Sequence, residues 1–147
     1  MACKKMMACL KMVTVDVELT RWENDVCRHA LDRYFAEMEL TRLTEGVCCV
    51  DPEEFAAAGV LKMVFGDHDS KGFDKTWDLG EKFSDEKVTY HELNGIYIGV
   101  LNSAVGQAVE DMTKFSHHAG LRALEDKIET ISAGAFDRAL AMKKEAA

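Results

Sequence analysis

Four aspartates, Asp67, Asp69, Asp74 and Asp78, fall within twelve residues, and carboxylate oxygens at that density are the hard ligands a calcium-sized cation takes. Thiols offer a second chemistry. Cys48 or Cys49 could act as a nucleophile if a distant histidine drew its proton. The adjacent His117 and His118 are poorer metal ligands, because neighbouring side chains on a helix diverge by about 100°. Asp25, His29 and Asp32 share a helix face and could hold a cation from one side, but that face lies opposite the apolar stripe and reads as solvated surface. Glu110 and Asp111 are a carboxylate pair in name, since adjacent positions point apart.

The run from Asp67 to Asp78 resembles an EF-hand calcium loop. Asp67 and Asp69 stand at the first and third places and Gly72 at the sixth, where that family carries two oxygen ligands and an obligatory turn. The resemblance implies calcium as a cofactor held by Asp67, Asp69, Asp74 and Asp78. Three places depart from the pattern: Lys71 fills the fifth, Asp74 takes an ordinarily apolar eighth, and Asp78 is shorter than the usual closing glutamate. Enzymatic signatures are absent, with no phosphate loop, no dinucleotide glycine pattern, no G-x-S-x-G elbow and no H-E-x-x-H.

Charge narrows the choice of partner. A net charge of −8 and a pI near 5.1 disfavour nonspecific attraction to nucleic acid or an anionic membrane and favour basic protein partners. Acids concentrate between Asp51 and Glu92, whereas Lys4, Lys5 and Lys11 are the only charges in the first fifteen residues. Five cysteines, an odd number without a C-x-x-C pair, fit free thiols in a reducing compartment. Lysines interrupt Met1 to Met12, which does not read as a secretory leader, so a cytoplasmic setting is expected. No run approaches the roughly twenty apolar residues that span a bilayer.

The elements that must position these groups are mostly helical. Met1 to Met12 could form a short helix, but Val13, Val15, Val17 and Leu19 then alternate with polar residues, the period of a half-buried strand, so residues 1–19 read as an arm or strand. Its partner is expected in Val47 to Val50, in Phe73 to Leu79, or in another chain. Thr20 to Glu23 has the form of a capping box and opens a helix over 20–46 with a stripe of Trp22, Val26, Cys27, Leu31, Tyr34, Phe35 and Met38. Asp51, Pro52, Glu53 and Glu54 open a second over 51–66. Residues 66–88 form a long acidic loop anchored by Phe73, Trp77 and Phe83. Thr89 to Glu92 reads as another capping box, beginning a helix over 89–116, and a last helix occupies 119–145. The fold expected is a single mainly helical domain, a bundle of about four helices.

Within 89–116 one face is small. Gly95, Gly99 and Ser103 recur every four residues, and glycine in a helix costs roughly 1 kcal/mol against alanine. Close approach of a second backbone, from this chain or another, is the expected reason, with the helix packed on two sides. The function expected is non-catalytic: a structural or regulatory subunit that meets protein partners through helix faces and an acidic middle, as a homo-oligomer or within a larger assembly. Calcium binding and a small-molecule enzyme without a recognisable motif are the alternatives.

Overall fold

The computed structural model describes residues 4–69, 87–113 and 119–145, apart from the side chains of residues 4 and 67–69. Among these residues five helices and a two-stranded sheet follow one another as α1 (Lys4–Met12), a helix where an arm or strand was expected, β1 (Thr14–Thr20), α2 (Arg21–Glu45), α3 (Pro52–Asp69), β2 (Lys87–Asn94), α4 (Gly95–Thr113) and α5 (Ala119–Glu145). The chain is mainly helical, with a short 3-10 turn at Val47–Cys49.

Both bonds of the capping box predicted at Thr20 form. The Glu23 amide donates to the Thr20 hydroxyl at 3.1 Å and the Glu23 carboxylate accepts from the Thr20 amide at 2.8 Å. α2 stops where Gly46 takes φ 108°, a region open to glycine and costly for other residues. The Asp51 carboxylate then accepts from the Glu53 amide at 2.9 Å and starts α3. α3 continues three residues past the expected end at Gly66, through Asp67 and Asp69. Phe73, Trp77 and Phe83 lie outside the described residues.

The strand partner differs from those expected, and so does the element at Thr89. Residues 87–94 are not the start of a helix; they pair antiparallel with β1, placing Leu19 opposite Val88, Val17 opposite Tyr90 and Val15 opposite Leu93. Between the last two pairs, His91 and Glu92 together face Asp16, a β-bulge. The extra residue keeps Tyr90 and Leu93 on the covered face although three positions separate them. The helix cap proper is Asn94, whose side-chain oxygen accepts from the amides of Ile96 at 2.9 Å and Tyr97 at 3.1 Å.

Glu92 holds φ 57°, and the Asp16 carboxylate accepts its amide at 2.9 Å. That bond, and to a lesser degree His91, hold the Asp16 carboxyl below the usual carboxylate range, so the contact contributes above the ordinary value and is lost as pH falls through the lowered one. A left-handed conformation strains a glutamate by roughly 1–2 kcal/mol, while glycine's greater freedom favours the unfolded chain by about 0.5–1 kcal/mol. Glu92→Gly is therefore expected to leave stability unchanged or raise it by up to about 1.5 kcal/mol, and Glu92→Val to lower it by about 1–3 kcal/mol, read by urea denaturation.

α4 is the hub, packing against all four other helices and touching both strands. Its buried side chains include Ile98, Val100, Leu101, Ala104, Val105, Ala108 and Val109, a broad apolar arc, whereas the small face expected to pack as a second side is covered only at Gly95, Gly99 being open and Ser103 exposed. α5, 27 residues and about 40 Å long, lies along it. α1 crosses α5 near the buried Ala135 and Ala139 and also meets the start of α4. The largest fully buried side chains, Phe65, Leu31, Leu61, Ile98, Leu101, Leu124 and Ile128, come from α2, α3, α4 and α5. They form one core with Val17 and Leu19 of the sheet.

Candidate functional site

The residues that chemistry singled out scatter. Asp67 and Asp69 close α3, while Asp74, Asp78, His117 and His118 lie outside the described residues. Among the described residues, no three His, Cys, Asp or Glu side chains are gathered for a metal. On α2 the reading of Asp25, His29 and Asp32 as a solvated face holds at His29, which is exposed, and at the half-exposed Asp32, and is corrected at Asp25. Asp25 is buried, because the N-terminal half of α2 is covered on more than its apolar stripe. Its charge is met by the Arg28 guanidinium at 3.2 Å, which also lies 3.7 Å from Asp32. The cation between these carboxylates is thus supplied by the protein. His29 stands 3.9 Å from Asp25 and 3.2 Å from Arg28.

The thiols divide by environment. Cys27 is fully buried, and burial pushes its thiol far above the ordinary value, which makes it a core hydrophobe. Cys48 and Cys49 are exposed in the 3-10 turn, and the Cys49 thiol donates to the Glu45 carbonyl at 3.4 Å. A hollow of about 270 Å³ beside Cys49 is lined by Tyr34, Glu37, Asp51, Glu54 and Gln107 among others, with no histidine among its described lining residues. Asp111 is paired with Arg33, so Glu110 and Asp111 are not a joint acid site.

The three small residues of α4 have three different surroundings. A Cβ on Gly95 would stand 2.8 Å from both the Leu10 carbonyl oxygen and the Leu10 Cδ2 atom; α1 lies against it. A Cβ on Gly99 would meet nothing within 4 Å. Ser103 is exposed, beside the half-buried Tyr34 of α2.

The feature that sequence periodicity missed is the outer side of the α2–α3 hairpin. The two helices meet through Phe35 and Phe55, ring centroids 4.9 Å apart. A Cβ on Gly59 would lie only 3.3 Å from the Phe35 ring, so glycine lets that ring sit close to α3. Arg42 caps the Phe55 ring at 4.4 Å, and Lys62 lies 5.0 Å from the Phe35 centroid. Beside these rings runs an open groove of about 730 Å³ with Val60, Met63 and Gly66 on its α3 side and Arg28 and Asp32 on its α2 side. A smaller hollow of about 380 Å³ flanks the other side of the Ala56 and Val60 ridge, against Lys11, Ile96 and Tyr97. Met63 is 72% exposed and Val60 43%, so α3 presents apolar side chains outward as well as to the core. The signal was in the sequence: Val60, Leu61, Met63, Val64 and Phe65 cannot all occupy one face of a helix.

Among the described residues no helix is long and apolar enough to cross a membrane. No family model matches this chain, and neither a curated protein nor a solved structure matches it.

Proposed function

We propose that this chain is a non-catalytic interaction or structural subunit that docks protein partners on the outward faces of the α2–α3 hairpin. The observation that carries the reading is α3 itself. Apolar residues on several sides of a helix are ordinarily covered on those sides, yet here Val60 faces outward between two hollows and Met63 along the larger of them. Covering such side chains contributes about 1.5–3 kcal/mol each, which matters only in a complex. The small, exposed Ala56 beside Val60 leaves room for a partner's side chains along the same ridge, the arrangement that helix packing uses.

The test is a pair of charge insertions, Val60→Asp and Met63→Glu, followed by sizing chromatography of native extract from the source cells. The wild-type chain is expected to elute well above its 16.4 kDa monomer position. Each variant should elute as the monomer with an unchanged melting temperature, because neither side chain is part of the buried core. A wild-type chain that elutes as a monomer, or variants that keep the wild-type position, would overturn the reading.

A further inference from the structure

Cys48 and Cys49 are neighbours in sequence, and both are exposed in the 3-10 turn at Val47–Cys49. Residues 46–51 are all that joins the end of α2 to the start of α3. Both thiols turn back toward α2. The Cys49 thiol donates to the Glu45 carbonyl at 3.4 Å, and the Cys48 Sγ atom lies 3.9 Å from the place a Cβ on Gly46 would take. Cys48 makes no hydrogen bond of that kind among the described residues, which leaves its sulfur the freer of the two. Among the described residues no third metal-ligating side chain joins them, so the chemistry open to the pair is with each other.

We propose that Cys48 and Cys49 form a peroxide-sensitive pair that closes reversibly into a disulfide between neighbours and resets the turn between α2 and α3. The Cys48 thiolate attacks one oxygen of a hydroperoxide, the O–O bond breaks, and Cys48 becomes a sulfenic acid. The proton that Cys48 released ends on the departing hydroxide or alkoxide. The Cys49 sulfur then attacks the Cys48 sulfur, the S–O bond breaks, and the hydroxyl leaves as water with the Cys49 proton. Two electrons and two protons have passed from the thiols to the peroxide. The resolving sulfur needs no search, because Cα atoms of consecutive residues stand about 3.8 Å apart. That spacing is below the roughly 4.4–6.8 Å that disulfides ordinarily span, so the bond is strained and readily reduced, the character of a switch rather than a staple. Bridging neighbours also removes almost no freedom from the unfolded chain, so nothing offsets the strain. Closure takes away the proton that binds Cys49 to the Glu45 carbonyl and pulls on the 3.2 Å bond from the Cys49 amide to the Gly46 carbonyl.

The full chain is treated with hydrogen peroxide, alkylated and mapped by mass spectrometry. The peptide holding Cys48 and Cys49 is expected to be lighter by two hydrogen atoms and to escape alkylation. The oxidised chain should melt a few degrees lower, and reduced thioredoxin should restore both thiols and the melting temperature, the equilibrium favouring the reduced chain by about tenfold or more. Cys49→Ser should stop at a Cys48 sulfenic acid, trapped by dimedone. A peptide that stays open to alkylation, a bond from either residue to Cys3, to Cys9 or to a second copy, or closure that leaves the melting temperature unchanged would overturn the proposal. The docking face is tested apart from it, by the elution of the Val60→Asp and Met63→Glu variants.

Discussion

Phe65→Ala is expected to destabilise the chain by about 3–5 kcal/mol, the range for emptying a fully packed aromatic site. Phe65 is completely buried, and its ring stacks on Tyr90 with centroids 4.1 Å apart and planes 12° from parallel. Tyr90 in turn donates its hydroxyl to the buried Asn24 side chain at 2.5 Å, and burial holds that phenol far above its ordinary pKa. One ring therefore ties α3 to β2, and through it to the first turns of α2. Removing it opens a cavity against a polar pair whose hydrogen bond depends on water staying out. The whole fold of such a domain is stabilised by only about 5–15 kcal/mol, so a loss of this size lowers the urea midpoint severely. Phe65→Leu, which keeps most of the volume, is expected to cost less than about 2 kcal/mol. Equal losses for the two would place the energy in the stacking contact; a loss under about 1 kcal/mol for alanine would deny Phe65 its tying role.

The elements legible in the sequence were those whose signal is local. Thr20 and Glu23 reveal the start of α2 because both halves of the box lie within one turn, and Asp51 with Pro52 reveals α3 for the same reason. Thr89 to Glu92 carries the same letters and forms a strand. The bulge explains the misreading: by adding one residue it sets Tyr90 and Leu93 three apart on one face, and Tyr97 follows four later, which imitates a helical period. What decided the matter was β1, more than sixty residues away, whose Val15, Val17 and Leu19 needed covered partners. Distance in sequence also hid the hairpin surface. Periodicity assigns every apolar residue of α3 to a core, and only the packing of α2 and α4 around it shows that Met63 and Val60 are left over. Asp25 is the converse case. Its place away from the stripe says solvent, yet its burial beside Arg28 comes from surroundings that no helical wheel contains.

Gly95→Ala and Gly99→Ala are expected to move stability in opposite directions, although the two residues stand one turn apart on the same helix. At Gly95 the added carbon would lie 2.8 Å from the Leu10 carbonyl oxygen and 3.2 Å from the Leu10 Cα atom. Backbone cannot turn aside as a flexible side chain can, and the Gly95 amide is itself tied to the Val13 carbonyl at 3.0 Å. α1 must then move away from α4 and the strand junction, at a cost of about 1–3 kcal/mol. At Gly99 the added carbon meets nothing within 4 Å, so alanine lowers only the entropy of the unfolded chain and raises stability by about 0.5–1 kcal/mol. Gly95→Val should be worse than Gly95→Ala, since branched carbons press further into α1. Denaturant midpoints at constant slope measure all three. A neutral Gly95→Ala would mean that α1 does not rest on that residue. A destabilising Gly99→Ala would mean that its open side is covered in solution, and a concentration-dependent midpoint would then identify a second copy as the cover.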